Sequence, residues 1–228
     1  DPDADRSALK LQTLDQAGAD VLEVGVPFSD PLADGPVIQR ASERALAAGM
    51  TLKSSLRLIG AVRPMISSPI VVFTYANPVL AMGLEHFIRH ASDVGVDGVL
   101  VLDLPIEEVD ELRDAATAAN IDLIFMLSPT TTEYRIRRAT ELGRGFLYGI
   151  SRLGVTGERD TIADGASAMV ERIRRVTTLP VALGFGISRP EHVVEVGRFA
   201  DAAVVGSGLV SRIAEAVSYT PLRAHEPL

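Results

Sequence analysis

Hydrophobic residues occur along this 228-residue chain in seven short, nearly continuous runs, each followed by a polar loop and a segment with helical spacing. Strands covered on both faces of a sheet have this pattern, because neither face meets water. We therefore predict seven parallel strands, which lie in residues 20–26, 69–75, 97–103, 121–127, 145–150, 180–185 and 202–206.

The segments between the runs are predicted to be helices. Residues 107–119 and 163–177 carry apolar side chains three or four positions apart, which places them on one helical face. Helix-start signals precede two other segments: residues 129–133 contain a hydroxyl N-cap followed by an acidic residue, and Pro190 falls in a first turn. The chain is thus a repeated strand–helix unit.

Two α/β architectures fit such a repeat, the (β/α)₈ barrel and the doubly wound open sheet. An open sheet favours a glycine-rich turn after its first strand, whereas the glycines here follow the late strands. We therefore predict a (β/α)₈ TIM barrel. We expect it to lack its first strand in this chain, because the helical segment 6–18 comes before the first of the seven runs.

The domain prediction is a single barrel over residues 1–217. Residues 218–228 fit no element, and we interpret them as a non-native tail derived from a translated adapter. A barrel without its first strand exposes two strand edges. We therefore expect low stability or low activity from this polypeptide alone.

Composition excludes several classes of protein. The chain has no cysteine, so disulfide frameworks and Cys-ligated metal sites are excluded. The formal net charge of −8 argues against a nucleic-acid partner, because a phosphate backbone attracts basic proteins. No apolar run approaches the roughly 18–20 residues of a membrane helix, and no secretory pattern opens the chain. We expect a cytoplasmic enzyme.

Glu23 is the first candidate for chemistry, because it lies in the middle of the first apolar run. Burial of a carboxylate raises its pKa toward neutrality, which suits general acid–base catalysis, although a structural Glu with a buried partner is an equal alternative. Asp30 and Asp34 follow in a Pro/Gly-rich loop, at the end of the barrel where active sites form. For Asp30 an ordinary Asx turn is the favoured interpretation.

Three glycine-rich turns predict a phosphate site. They follow successive late strands, at residues 154–157, 184–186 and 206–208. Backbone amides at such turns and at a helix N-terminus bind phosphate in many barrels. Each turn taken alone also fits an ordinary loop, so the prediction rests on their coincidence.

Other residue types narrow the chemistry further. The two lysines, Lys10 and Lys53, fall in helical segments away from strand ends, so a Schiff-base aldolase is excluded. His86 and His90 share a helix but lack a third ligand nearby, which argues against a metal site. Substrate-pocket and plain core roles are both open for four further residues: Tyr148, Ile38, Phe73 and Leu100.

Six segments together resemble the tryptophan synthase alpha subunit family. They are residues 23–39 (EVGVPFSDPLADGPVIQ), 75–78 (YANP), 102–105 (LDLP), 151–157 (SRLGVTG), 184–188 (GFGIS) and 205–208 (VGSG). The resemblance runs in order from about residue 1 to 217. It implies a TIM barrel that cleaves indole-3-glycerol phosphate to indole and glyceraldehyde 3-phosphate in tryptophan biosynthesis. It also implies a beta-subunit partner in an alpha2beta2 complex, with pyridoxal phosphate on the beta subunit and no cofactor on this chain.

The resemblance implies roles for individual residues. Glu23 matches the catalytic acid/base, and Asp34 matches the aspartate that holds the indole N–H and stabilises positive charge on the ring. Substrate-pocket positions are matched by Ile38, Phe73, Leu100, Tyr148 and the lid residue Thr156. Phosphate-site positions are matched by Gly157, Phe185, Gly186, Gly206 and Ser207. The loop 30–35 and the lid match the segments that contact the beta subunit.

Two other functions remain open at this point. The first is another phosphate-binding barrel, such as a sugar-phosphate isomerase or epimerase, which would share the late glycines. It would have no use for residues 27–36 (PFSDPLADGP) and would release no indole. The second is a truncated, non-catalytic activating subunit, which would stimulate a beta subunit even with Glu23→Gln.

Overall fold

The structure is a computed structural model that describes residues 3–150, 163–184 and 186–218. The helices among these residues are α1 (Ala4–Gln16), α2 (Pro36–Ala47), α3 (Leu52–Val62), α4 (Ala76–Met82), α5 (Leu84–Asp93), α6 (Asp110–Ala118), α7 (Glu133–Leu142), α8 (Ala163–Arg174), α9 (Pro190–Val196) and α10 (Ser207–Ser218). The strands are β1 (Leu22–Gly25), β2 (Ile70–Thr74), β3 (Gly98–Val101), β4 (Asp122–Leu123), β5 (Phe125–Leu127), β6 (Leu147–Ile150), β7 (Val181–Gly184) and β8 (Ala202–Val204). Within those stretches, every helix is too short or too polar to cross a bilayer.

All strand pairs are parallel, and they form two four-stranded sheets, β1–β2–β3–β4 and β5–β6–β7–β8. Each of the seven predicted runs contains a strand. The run 121–127 contains two, because β4 pairs with β3 whereas β5 pairs with β6. Ile124 lies between them, and its N–H donates to the Val99 carbonyl at 2.9 Å. Among the described residues, β1 pairs only with β2, and β8 only with β7.

Side chains alternate between two apolar layers along the strands. In β1 and β2, Leu22, Val24, Ile70 and Val72 pack outward against the helices. In β5 to β7, the outward side chains pack on α7 and α8. The opposite faces meet in an interior cluster, which we define as Val71, Leu100, Ile124 and Tyr148, with Phe73, Leu102, Met126, Phe146, Ile150 and Val204 packed against them. Both faces are buried, which explains why the strands read as continuous apolar runs.

Helix boundaries differ from the sequence prediction at several ends. The helix predicted over 107–119 begins only at Asp110, because residues 106–108 form a separate 3-10 turn closed by a Glu108 N–H to Pro105 carbonyl bond. The first helix begins at Ala4, since the Asp3 carboxylate accepts the N–H groups of Asp5 and Arg6. The helix predicted to reach residue 177 ends at Arg174.

Predicted helix starts agree better with the structure. Thr132 caps α7, accepting the Arg135 N–H at 3.4 Å, and Pro190 is the first residue of α9. The last described helix, α10, reaches Ser218, and the remainder of the predicted tail lies outside the described residues.

An aspartate–arginine clamp recurs at the N-terminal ends of the strands. The Asp97 carboxylate accepts the Ile70 N–H at 2.8 Å, and Arg63 Nη1 lies 3.6 Å from Asp97 Oδ2. In the other sheet, the Asp201 carboxylate accepts the Val181 N–H at 2.8 Å, and Arg174 Nη2 lies 3.0 Å from Asp201 Oδ1. Each clamp joins two neighbouring strands and the end of a helix, so the base of the barrel is held by the same contacts twice.

Asp201→Asn should lower the free energy of unfolding by about 1 kcal/mol at neutral pH, because Val181 and Arg174 lose a charged acceptor in a half-exposed position. The Val181 N–H and Arg174 hold the pKa of Asp201 below its usual value. The stabilisation is therefore present above the unfolded pKa of about 3.9 and is lost as pH falls through the lower folded pKa. Urea unfolding from pH 3 to 7 measures this.

Asp114→Asn is the matched control, because Asp114 is exposed and bonds only the adjacent Arg113 among the described contacts. Its effect should stay within about 0.5 kcal/mol. If both variants lost the same free energy of unfolding at pH 6, the stabilising role of the Asp201 clamp would be contradicted.

Candidate active site

Glu23 lies at the centre of β1, opposite Val71 of β2. Its neighbours Leu22 and Val24 belong to the outer core, so strand alternation turns Glu23 toward the barrel interior. Its Oε1 is inaccessible to solvent and has no hydrogen-bond partner among the described residues. Burial raises the pKa of this carboxyl to about 7. A group of this kind gives and takes protons near neutral pH.

Tyr148 shares the interior with Glu23. It lies in β6 between Met126 and Ala182, and its side chain is part of the interior cluster. Burial and the negative charge of Glu23 both raise the pKa of the phenol, so the hydroxyl keeps its proton. The ring lies against Gly184 of β7, where a Cβ would come within 2.8 Å of ring atoms Cε1 and Cζ. Gly184 therefore leaves the space that the phenol occupies.

Gly184→Ala should lower the free energy of unfolding by about 1–3 kcal/mol, because the added methyl overlaps the buried Tyr148 ring and both must move. Gly165→Ala is the matched control: a Cβ at Gly165, within α8, would meet no atom within 4 Å. That change should raise stability by about 0.5–1 kcal/mol, as is usual for Gly→Ala in a helix. Urea unfolding of both variants measures the two changes in free energy of unfolding. Changes of the same sign would contradict this prediction.

Asp34 lies in the loop between β1 and α2, where its carboxylate Oδ2 accepts the Tyr75 hydroxyl at 3.0 Å. Backbone contacts hold the same residue: its N–H donates to the Pro31 carbonyl at 3.1 Å, and its carbonyl accepts the Gln39 amide at 2.9 Å. Partial burial raises the pKa of Asp34, and the Tyr75 hydrogen bond opposes this rise. Asp34 is thus a carboxylate with one oxygen already engaged.

The Asx turn predicted at Asp30 is wrong. The Leu32 N–H donates to the backbone carbonyl of Asp30, at 2.8 Å, rather than to its side chain. The carboxylate instead accepts the Ser29 hydroxyl at 2.6 Å. A neighbouring hydroxyl outcompetes the backbone as donor, which the spacing of the loop did not reveal.

Two late glycine turns lie against each other. Gly186 has a φ of +77°, and Gly206 directly precedes α10, which begins at Ser207. A Cβ at Gly208 would lie 3.2 Å from the Ile187 carbonyl oxygen and from Ser188 Cα, so the turn at 186–188 touches the first turn of α10. The exposed N–H groups of a helix start favour an anion.

The remaining predicted residues divide into three groups. Phe73 and Leu100 are paired in register in β2 and β3, and both belong to the interior cluster with Tyr148. Ile38 is half-buried in the first turn of α2, outside that cluster. The others lie outside the described residues: Thr156, Gly157 and Phe185.

A cavity of about 530 Å³ opens above the interior cluster, at the C-terminal ends of the strands. Tyr75, Leu102, Met126 and Ile150 line it, together with Phe28 from the loop before α2. Among the described residues that were candidates from the sequence, Asp30 alone lines it. Tyr75 connects it to Asp34, although no role was predicted for Tyr75 from the sequence. Its place directly after β2, within the segment YANP, was the available signal.

The sequence and structure have clear relatives. The sequence model of the tryptophan synthase alpha chain family matches residues 1–225. The tryptophan synthase alpha chain of Geotalea uraniireducens is 47% identical over 215 residues, which cover 94% of this chain and 80% of the relative. That of Phenylobacterium zucineum is 48% identical over 218 residues, 95% of this chain and 79% of the relative.

Solved structures agree with the sequence relatives. Tryptophan synthase subunit alpha from Legionella pneumophila superposes with a TM-score of 0.86 at 34% identity, covering 96% of this chain and 81% of that one. A chain of the tryptophan synthase a2b2 complex from Pyrococcus furiosus superposes with a TM-score of 0.88 at 38% identity, covering 94% and 86%. These likenesses confirm the predicted barrel. This chain belongs to the tryptophan synthase alpha chain family.

Proposed function

We propose that this chain is an indole-3-glycerol-phosphate lyase, the alpha subunit of tryptophan synthase, in which Glu23 moves the protons and Asp34 stabilises the ring. The single observation that carries this proposal is the Glu23 carboxyl. It faces the barrel interior with a solvent-inaccessible oxygen and a pKa raised to about 7, in a chain of this family. The products are indole and glyceraldehyde 3-phosphate.

The reaction requires one net proton transfer and the breaking of one carbon–carbon bond. Protonated Glu23 gives its proton to indole C3, which leaves a positive charge on the ring nitrogen. The resulting carboxylate takes the proton of the adjacent glycerol hydroxyl. The bond between C3 and the carbon that bears this hydroxyl then breaks. Its electrons return to the ring, and the hydroxyl-bearing carbon becomes the aldehyde carbon. Glu23 ends protonated, ready for another cycle, as a carboxyl with a near-neutral pKa allows.

Asp34 serves the intermediate rather than the proton transfer. An ionised carboxylate beside the ring nitrogen accepts its N–H and stabilises the positive charge that develops there. The hydrogen bond from Tyr75 engages Oδ2, so we assign the contact with the ring N–H to Oδ1. Glu23 and Asp34 thus have different tasks, as their different surroundings require.

The rest of the substrate is assigned by region. We assign the indole pocket to Phe73, Leu100 and Tyr148 of the interior cluster. Ile38 and the lid residue Thr156 are assigned to it from the family resemblance. The phosphate lies at the glycine turns, held by Gly186, Gly206 and Ser207 together with Gly157 and Phe185. Contact between the 186–188 turn and the start of α10 supports this assignment.

The proposed chemistry uses proton transfer and charge stabilisation alone, so this chain needs no cofactor of its own. Pyridoxal phosphate would belong to the beta partner. The Pyrococcus furiosus structures are of the tryptophan synthase complex, and this chain takes the alpha position in such an assembly. We place the contact with the beta subunit at loop 30–35, where Leu32 is 94% exposed. A cytoplasmic location is part of the proposal, as expected for tryptophan biosynthesis.

The test is an assay of the purified chain with indole-3-glycerol phosphate, with and without a tryptophan synthase beta chain. We expect indole and glyceraldehyde 3-phosphate in equal amounts, formed faster when the beta chain is present. A folded chain that forms neither product, with or without the beta chain, would disprove the lyase. Interconversion of sugar phosphates without indole would point to an isomerase instead.

A further inference from the structure

The Tyr75 hydroxyl bridges β2 and the loop that carries Asp34. Tyr75 directly follows β2, and its side chain is only 4% exposed. The phenol oxygen lies 3.0 Å from Asp34 Oδ2 and 3.3 Å from the Ala33 nitrogen. The Ala33 N–H can only donate, so the phenol oxygen accepts from it and directs its own proton to Asp34.

The phenol is a permanent donor in this position. Burial, together with the nearby charges of Asp34 and Asp103, raises the pKa of Tyr75, so the hydroxyl stays protonated throughout the pH range of an enzyme assay. A carboxylate as acceptor makes this the stronger kind of hydrogen bond. Asp34 Oδ2 therefore always faces a proton donor.

The tyrosine itself is held on several sides. The Phe28 ring packs on it with centroids 5.0 Å apart and planes tilted by 32°. The next residue, Ala76, begins α4, and its N–H donates to Asp103 Oδ1 at 2.6 Å. The hydroxyl is consequently placed by β2 and the start of α4, whereas Asp34 lies in an irregular loop.

We propose that Tyr75 is the positioning residue of Asp34: its hydroxyl holds Oδ2, which turns Oδ1 toward the indole nitrogen during cleavage. This inference rests on the proposed lyase function and extends it. Tyr75 itself does not touch the reacting atoms. It acts by keeping one carboxylate in one orientation, and through Ala33 it holds the loop that presents this carboxylate.

The experiment compares Tyr75→Phe with Tyr134→Phe in indole release from indole-3-glycerol phosphate. Tyr75→Phe removes one oxygen and keeps the ring that packs on Phe28. Tyr134 is exposed on α7 and serves as the matched control. We expect kcat to fall by roughly 10- to 100-fold in Tyr75→Phe, with little change in KM, because charge on the ring develops in the transition state. Tyr134→Phe should change neither constant.

A pH profile separates positioning from loss of structure. The Tyr75 hydrogen bond lowers the pKa of Asp34, so its removal should raise that pKa and move the acid limb of kcat/KM to higher pH. In an Asp34→Asn background, Tyr75→Phe should have almost no further effect, since the two residues act as one unit. Thermal unfolding of each variant shows whether the chain remains folded.

The possible outcomes separate the positioning role of Tyr75 from the proposed lyase function on which it rests. An active wild type with an unchanged kcat and acid limb in Tyr75→Phe overturns the positioning role alone. Full additivity with Asp34→Asn also overturns it. A folded wild type that releases no indole overturns the lyase, and the role of Tyr75 with it. A lower kcat, a shifted limb and non-additivity together support the role.

Discussion

Glu23→Gln is expected to lower kcat for indole formation by about 10²- to 10⁴-fold, the usual loss when a general acid–base group is removed. The amide has nearly the same size but neither gives nor takes the proton that must reach indole C3. In the wild type, kcat/KM should fall as pH rises above about 7, because the Glu23 carboxyl then loses its proton before substrate binds. Steady-state kinetics from pH 5.5 to 9 measure both effects.

Above pH 7, Glu23→Gln should raise the free energy of unfolding although it lowers kcat. The folded pKa of Glu23 lies above its unfolded value of 4.5, so burial favours the protonated form, and wild-type stability declines as pH rises from about 4.5 to 7. Glu23→Gln carries no such charge. Above pH 7 the variant should be the more stable one, by at most about 3 kcal/mol, with the burial of the amide offsetting part of this.

Glu141→Gln is the control for both measurements, because Glu141 is exposed on α7 and pairs with Arg138. It should retain full activity and the wild-type pH dependence of unfolding. Full lyase activity of Glu23→Gln would contradict the assigned role. A variant less stable than the wild type at pH 8 would contradict the burial of a carboxyl whose Oε1 has no hydrogen-bond partner among the described residues.

Asp34→Asn is expected to lower kcat by about 10²- to 10³-fold, the range for loss of one group that stabilises transition-state charge. The amide keeps a hydrogen-bonding oxygen for Tyr75 but brings no negative charge to the indolenine. Inhibition by glyceraldehyde 3-phosphate should be unchanged, because the glycine turns hold the phosphate. Product-inhibition kinetics and single-turnover indole release measure the two effects.

Asp110→Asn supplies the comparison for Asp34→Asn, since Asp110 is exposed at the start of α6 and pairs with Arg113. Its kinetics should match the wild type. If Asp34→Asn loses phosphate binding together with kcat, the residue holds the loop rather than stabilising charge on the ring.

Much of the fold could be predicted from the chain because the burial of both strand faces leaves a strong pattern. Leu22, Val24, Ile70 and Val72 pack outward, while Val71 and Phe73 pack inward, so no polar alternation interrupts the runs. The division of the fourth run at Ile124 could not be predicted, because an apolar run does not reveal which neighbouring strand each of its residues pairs with. Helix ends depend on local caps and turns, which explains the late start of α6.

The same reasoning explains what could be predicted of the site. Glu23 stood out because a charge in the middle of an apolar strand is costly, and the structure places it inside the barrel. The contact between Tyr75 and Asp34 joins residues 41 positions apart, and no local pattern signals it. Ile38 lies on a helix whose rotation relative to the sheet is set by packing, so its position outside the interior cluster could not be foreseen.

The paired clamps at Asp97 and Asp201 give the molecule a repeated base beneath an unrepeated rim. One end of the barrel resembles two copies of a single building block, each tying adjacent strands to the helix before them. The loops at the other end share no such likeness: one presents Asp34, whereas another presents the glycine turns. The loops that carry Asp34 and the glycine turns can therefore change one at a time, while the Asp97 and Asp201 clamps at the opposite end keep their contacts.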